Sequence, residues 1–237
     1  MNHLQIIHEY LQEKRSLSNL PTTGLPFVTI SRQAGAGGHL LAHVLTTDFL
    51  KYDEEDLFHG WHVFDREICE IIAEDPALQL SMDALMSEQL KSEFADFMDG
   101  LFLGRSEQYD LHKRTFQIVR LLASLGKVII VGRAAACVTR DLPGGFHVRL
   151  VAPEPARVRW MMDKLKIGRD EAEKMIRRQE ADRRTLLHTY FDRDVDDPLL
   201  YDAVWNAERC DPHEISRSVI SILRRRAERR AATEHPG

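Results

Sequence analysis

The apolar run PFVTI (26–30) passes directly into the turn SRQAGAGGH (31–39), and then into a helical pattern in which Leu40, Leu41, Val44, Leu45 and Phe49 share a face. Strand, glycine-rich turn and helix in immediate succession is a strong constraint on the fold, because it starts a β-α unit. Gly35, Gly37 and Gly38 remove side chains where backbone N–H groups must approach an anion, and a helix starting near Gly38 adds the positive end of its dipole. The same glycines would also serve a tight turn that needs positive φ or close packing, so the turn alone leaves both roles open. The Walker A spacing is not met. With Gly37 aligned to its last glycine, Arg32 takes the place of the first glycine, Gly38 that of the lysine and His39 that of the Ser/Thr.

Four further runs read as strands: WHVFD (61–65), KVIIVG (127–132), HVRLVA (147–152) and AVWNA (203–207). The unbroken VIIV is expected to be buried on both faces of a parallel sheet. Between the strands the pattern is helical. The first helix covers 3–15, with Leu4, Ile7 and Leu11 on one face, and Ser16–Gly24 follows as a linker. Helical periodicity covers 66–73 and then 75–125, where Phe94, Phe97, Met98 and Leu101 repeat, as do Ile118, Leu121, Leu122 and Leu125; Gly126 is the stop. Helices are expected at about 155–166 and 170–190. The last helix has Asp211 as N-cap, Pro212 at its first position, Glu214 closing a capping box, and Ile215, Val219, Ile222 and Leu223 as its core face. Alternating strands and helices imply a parallel α/β sheet, which binds ligands at the carboxyl ends of its strands. Ser31–Gly38, Asp65 and Gly132–Arg133 lie at three such ends and are expected to converge on one cleft.

At 237 residues the chain is about one and a half times a typical domain of ~150, ample for a sizeable core. Its 32 Lys and Arg against 37 Asp and Glu leave a net charge of −5, which argues against wrapping nucleic acid and confines any anion site to a local arginine cluster. Cys69, Cys137 and Cys210 are too scattered for a disulfide framework or a CxxC metal site. No signal-peptide core and no apolar run of ~20 residues is present, so a cytoplasmic protein without membrane partners is expected. His39 and His43 have metal-pair spacing but no third ligand beside them. His59, His62, the acidic face of Glu93, Asp96 and Asp99, and the tail RRRAERR (224–230) read as structural or solvated features. His112–Arg114 reads as a turn, with an acceptor contact as its alternative.

Taken in order, FVTISRQAGAGG, FDREI, VIIVGRAAA, VRLVAPEPARVRWMM, QEADRR and DPLLYDAVWN resemble the cytidylate kinase-like family, a divergent branch of the P-loop nucleoside monophosphate kinases. The resemblance runs from about Pro26 to Leu223, and its most specific element is the SRQ-x-G-x-GG turn. It implies a P-loop NTPase-type three-layer α/β fold with a five-stranded parallel sheet. A kinase-like domain would span 24–226, with a helical acceptor-binding insertion at about 75–113 and a helical lid at about 153–190. Residues 1–23 would precede it as helix and linker, and 227–237 would follow as a tail.

By the same resemblance Ser31, Arg32, Gln33, Ala34, Gly35, Ala36, Gly37, Gly38 and His39 would hold the phosphates of ATP. Asp65 would lie near Mg²⁺ or the acceptor phosphate, with Arg66 nearby, and Arg133 would bind the acceptor's phosphate. Arg178 and Asp182 would contact the acceptor, and Arg184 would bring charge to the transferring phosphoryl group. Arg32 or a lid arginine would supply the charge of the missing lysine. The chain has Ala134 where cytidylate kinases carry a base-reading aspartate, and Ile71 where an acceptor-side arginine is expected. The resemblance therefore implies a phosphorylated acceptor without naming its base. A nucleotide-binding sensor or scaffold using the same cleft is the alternative, and a homodimer stays open.

Overall fold

Five short runs, most of them rich in β-branched and aromatic residues, become β1 (Phe27–Arg32), β2 (His62–Phe64), β3 (Val128–Val131), β4 (Gly145–Val151) and β5 (Ala203–Asn206). In the computed structural model, which describes residues 3–16, 24–85, 92, 95–97 and 107–234, they form a sheet of order β2-β3-β1-β4-β5. Every pairing in it is parallel. The helices are α1 (His3–Ser16), α2 (Gly38–Phe49), α3 (Arg66–Glu74), α4 (Pro76–Asp83), α5 (Glu107–Leu125), α6 (Ala135–Val138), α7 (Glu154–Leu165), α8 (Arg169–Phe191) and α9 (Pro212–Glu234). Phe94, Met98, Leu101, Glu93, Asp99 and most of the linker after α1 lie outside the described residues.

Strand alternation sorts the core into two layers, one on each side of the sheet. Phe27, Phe64, Val128 and Ile130 face α1, α3 and α5, where Ile68, Ile72, Phe116, Val119 and Leu122 are buried. Val28, Ile30, Ile129, Val131, Phe146 and Val148 face α2 and α9, where Leu41, Leu45, Phe49, Ile215 and Val219 complete the other layer. All four residues of β3 are fully buried, as an apolar run with no polar alternation requires. This arrangement is consistent with the P-loop-type three-layer fold.

Several details differ from the sequence expectation. β1 runs two residues further, through Ser31 and Arg32, because both pair with β4 opposite Arg149 and Leu150. Leu4 and Leu40 are exposed, while Tyr10 and Lys14 join Ile7 and Leu11 on the buried face of α1. That face packs on the chain's own core, with Tyr10 edge-on to Phe64 at 5.0 Å and Glu13 bonded to His62 Nε2 at 2.9 Å. On α9 it is Ile220 that is buried and Ile222 that is partly covered. Its N-terminus follows expectation: the Asp211 N–H donates to Glu214 Oε2 at 2.9 Å, closing the capping box.

β1 is the switch point. The chain places β2 and β3 on one side of it and β4 and β5 on the other, and ligands bind at the carboxyl ends where strand order reverses in this way. Register then brings three strand ends together: Phe64 lies opposite Ile130, and Ile30 opposite Val131. The residues that follow are Asp65, Gly132–Arg133 and the glycine turn.

Candidate active site

A cleft of about 1010 Å³ opens above these strand ends. Ligand pockets run to about 1,000 Å³, so it can take a ligand larger than a single mononucleotide. Ser31, Arg32, His39, Asp65, Arg66, Arg133, Arg178 and Asp182 all line it. Gln33, Ala34, Gly35, Ala36, Gly37 and Gly38 do not, because they form the turn beside it. Gln33 Oε1 accepts the Ala152 N–H at 3.0 Å, and Ala34 and Ala36 are buried. Gly37 is the N-cap of α2 in the left-handed region, at φ 81°. Among the described residues the amides of Gly37, Gly38 and His39 meet no protein acceptor, the ordinary state of a helix N-terminus. A phosphate could satisfy them.

Asp65 caps α3: Oδ1 accepts the N–H groups of Glu67 and Ile68 at 3.0 and 3.1 Å. Oδ2 faces His39 Nε2 at 3.4 Å. The His39 contact first, then the two amides, holds the carboxyl down at about 2 against the cost of its partial burial. Among the described residues no three His, Cys, Asp or Glu side chains gather around one point. A lone carboxylate whose Oδ2 meets only the half-exposed His39 fits Mg²⁺ carried mainly by substrate phosphates and water, rather than a protein cage.

Arg133 follows β3 in a left-handed stretch: Gly132, Arg133 and Ala134 have φ of 86°, 55° and 51°. Non-glycine residues held in that region cost about 1–3 kcal/mol each and cluster where function needs a particular aim. Arg133 Nη1 meets Glu70 Oε1 at 3.0 Å, while its buried Nε has no partner. Glu70 is shared, since Arg66 Nε reaches both of its oxygens at 3.1 and 3.2 Å. Ile71 packs on the core instead of lining the cleft, so Arg66 is the arginine that α3 presents there.

Helix α8 forms the facing wall. Arg178 and Asp182 are exposed at its rim and make no ion pair with each other. Arg183, part of the QEADRR run but given no role of its own there, lines the cleft; Arg184 does not, being 59 % exposed with Asp196 at 3.8 Å. Periodicity could have found this. Arg183, Leu187 and Tyr190 are spaced i, i+4, i+7 on the inward stripe, and Arg184 falls beside it. Burial lowers Arg32, Arg133 and Arg183 from the usual guanidinium range; the charges of Arg183 and Arg133 add to it and bring Arg32 to about 9, while Glu70 and Glu180 oppose it at Arg133 and Arg183.

His112, read as part of a turn with an acceptor contact as the alternative, lies within α5 and lines the cleft, its Nδ1 2.9 Å from the Tyr190 hydroxyl. Below β1, the buried Arg149 reaches Ser31 Oγ at 3.1 Å and Asp196 Oδ1 at 2.5 Å. Cys137 lines the cleft too, but burial pushes its thiol up to about 11, which argues against thiolate chemistry at neutral pH. No helix among the described residues is long and apolar enough to cross a membrane.

Solved structures resemble this chain in fold. A crystal structure of an uncharacterized protein from Eubacterium ventriosum ATCC 27560 superposes with a TM-score of 0.61 at 17% identity, over 84% of this chain and 98% of that one. TT1252 from Thermus thermophilus gives a TM-score of 0.40 at 15% identity, over 86% and 98% of the two chains, too distant to bear on the fold. A search of curated proteins gives no match. The sequence profile of the cytidylate kinase-like family matches residues 27–209, more than three quarters of the chain, including all five strands and the three strand ends beneath the cleft. The chain belongs to the cytidylate kinase-like family.

Proposed function

We propose that the protein transfers a phosphoryl group from ATP to a nucleoside monophosphate or a similar small phosphorylated acceptor. One observation carries this reading: Arg32, Arg133 and Arg183 bring guanidinium groups to one wide cleft, and Arg133 Nε and Arg183 Nη1 are buried there with no acceptor. Buried donors without partners are costly, and phosphate oxygens are the acceptors guanidinium forks match best. The glycine turn beside them offers open amides, so two anionic groups can be held within one space.

In this reading Ser31–His39 cradle the donor's phosphates, and Arg133, with Arg66 at the rim, holds the acceptor's phosphate. An acceptor phosphate oxygen attacks the γ-phosphorus as the bond to the bridging oxygen breaks, and ADP leaves with that electron pair. Little covalent work falls to the protein; it positions the groups and neutralises charge. Mg²⁺ would add charge neutralisation, held at Asp65 Oδ2. The α7–α8 hairpin is the lid over this cleft, with Arg178 and Asp182 toward the acceptor, and α4 with the start of α5 belongs to the acceptor side. A closed lid keeps water from the γ-phosphorus.

A second reading, a nucleotide sensor or scaffold, is favoured by Gly38 standing where a Walker A lysine would. ADP formation from ATP–Mg²⁺ against a panel of nucleoside monophosphates separates the two. Acceptor-dependent turnover abolished by Arg133→Ala is expected. Nucleotide binding by calorimetry with no turnover for any acceptor overturns the kinase reading in favour of the sensor.

A further inference from the structure

Arg32 is the last residue of β1, and its side chain follows a path cleared by two glycines. A Cβ on Gly38 would lie 3.1 Å from Arg32 Cγ and Cδ and 3.4 Å from Nε. A Cβ on Gly132 would fall 2.1 Å from Arg32 Nη1. A side chain at residue 38 would therefore press on the Arg32 stem, which would have to give by a few tenths of an ångström.

Among the described residues the Arg32 guanidinium makes no hydrogen bond and no ion pair within 4 Å. Arg183 approaches from α8, its Nη2 bonded to Gln179 Oε1 at 3.1 Å and its buried Nη1 without an acceptor. Both arginines line the wide cleft, and both line a small recess shared with Gln33, Arg149, Glu180, Arg184, Val195 and Asp196. The recess carboxylates are already engaged, Glu180 with Arg157 at 2.6 Å and Asp196 with Arg149 at 2.5 Å. Two like charges thus face each other without a direct ion pair of their own, although Asp65 acts on Arg32 and Glu180 on Arg183 from farther off.

We propose that Arg32 and Arg183 form a two-armed clamp for the terminal phosphates of the donor, taking the place of the lysine that position 38 lacks; this rests on the kinase reading above. The lysine of an ordinary loop reaches the phosphates from the helix. Here one arm comes from the strand end and the other from the opposite wall, so the site is complete only when α8 is in place. Burial and the facing charges of Arg183 and Arg133, which pull Arg32 down to about 9, are the expected mark of a cation pair awaiting an anion.

The test is thermal unfolding of the full chain at constant ionic strength. Tripolyphosphate stands for the donor's phosphate chain and cytidine monophosphate for the acceptor. Wild type is expected to rise by roughly 5–10 °C with tripolyphosphate at a hundredfold excess over Kd. Arg32→Met and Arg183→Met should each lose most of that shift. The double variant should lose little more than either single, as for groups acting as one unit. Both should keep the cytidine monophosphate shift, and Arg183→Met should unfold no earlier than wild type without ligand, because it removes a repulsion. Arg177→Met, on the exposed face of α8, should behave as wild type throughout.

A full tripolyphosphate shift in either single variant overturns the clamp, as does a loss confined to the monophosphate, which would put these arginines on the acceptor. A lower ligand-free Tm for Arg183→Met than for Arg177→Met overturns it as well, since that is how a packing residue behaves. If these shifts follow expectation but no acceptor gives turnover, the clamp stands and the kinase reading falls.

Discussion

Helices α8 and α9 are both long and rich in arginine, yet they use it in opposite ways. On α9, Arg224 bonds Glu55 at 2.6 and 3.1 Å, Arg226 bonds Asp202 at 2.8 Å and the Gly145 carbonyl, and Arg230 bonds the Gly24 carbonyl. Those arginines sew the last helix to loops of its own fold. On α8, Arg183 reaches the cleft with a buried N–H unpaired, and Arg178 stands free at the rim. The number of Lys and Arg residues, six, is the same in both, and so is helical geometry. What differs is whether an acceptor lies opposite. Where the fold supplies one, an arginine is a strut; where it withholds one beside a wide cavity, the arginine is available to a ligand.

The largest effect should come from what holds α8 in place. Arg157, buried on α7, bonds Glu180 on α8 at 2.6 Å and the Ala34 carbonyl of the glycine turn at 3.2 Å. Arg157→Ala removes the buried arginine and leaves the half-buried Glu180 without its partner, a change expected to cost about 3 kcal/mol, the low end for a buried pair. Denaturant or thermal unfolding should show that loss, and an unchanged midpoint would mean that α8 is held by apolar packing alone. Next, Arg133→Ala should cut acceptor-dependent kcat/KM by roughly 10²–10³, the cost of losing one group that stabilises developing charge. Its unfolding midpoint should move far less than that of Arg157→Ala. Equal losses in both assays would make Arg133 a strut like those of α9.

Asp65 tests the anionic side of the cleft. Its carboxyl is held at about 2, so the stability it contributes is present above the unfolded value near 4 and is lost as pH falls from there toward 2. With a side chain 22 % exposed, that contribution is about 2 kcal/mol at neutral pH. Asp65→Ala should lower stability at pH 7 by about this amount, including the α3 cap, and flatten the acid limb of the stability profile. A variant that keeps the wild-type acid limb would place the titrating group elsewhere.

On α9, Arg226→Ala should cost about 1 kcal/mol, through its half-exposed ion pair and its packing over the Phe146 ring, and leave turnover intact. Loss of activity there would break the contrast between the two helices. The smallest effect belongs to Arg177→Ala, 66 % exposed with Glu173 at 3.7 Å, which should change stability by less than about 0.5 kcal/mol.

Local periodicity and punctuation made much of this legible. The β-branched runs mark all five strands, Gly126 with φ 67° ends α5, and Asp211, Pro212 and Glu214 begin α9, because each depends on neighbours within a turn or two. The meeting of Asp65, Arg133 and the glycine turn was readable as well, since parallel strands separated by helices put their carboxyl ends on one side. The choice of Arg183 over Arg184 was not read, although the stripe through Leu187 and Tyr190 carries it. Nothing in the string of residues says that Arg32 runs over Gly38 to Gly132, or that His39 turns to Asp65. Nor does it say that Arg149 spends itself on Asp196 while Arg183 keeps an unpaired N–H. Those outcomes depend on which groups meet across 26 to 118 positions of chain and on how much water reaches them, quantities that exist only once the layers have packed.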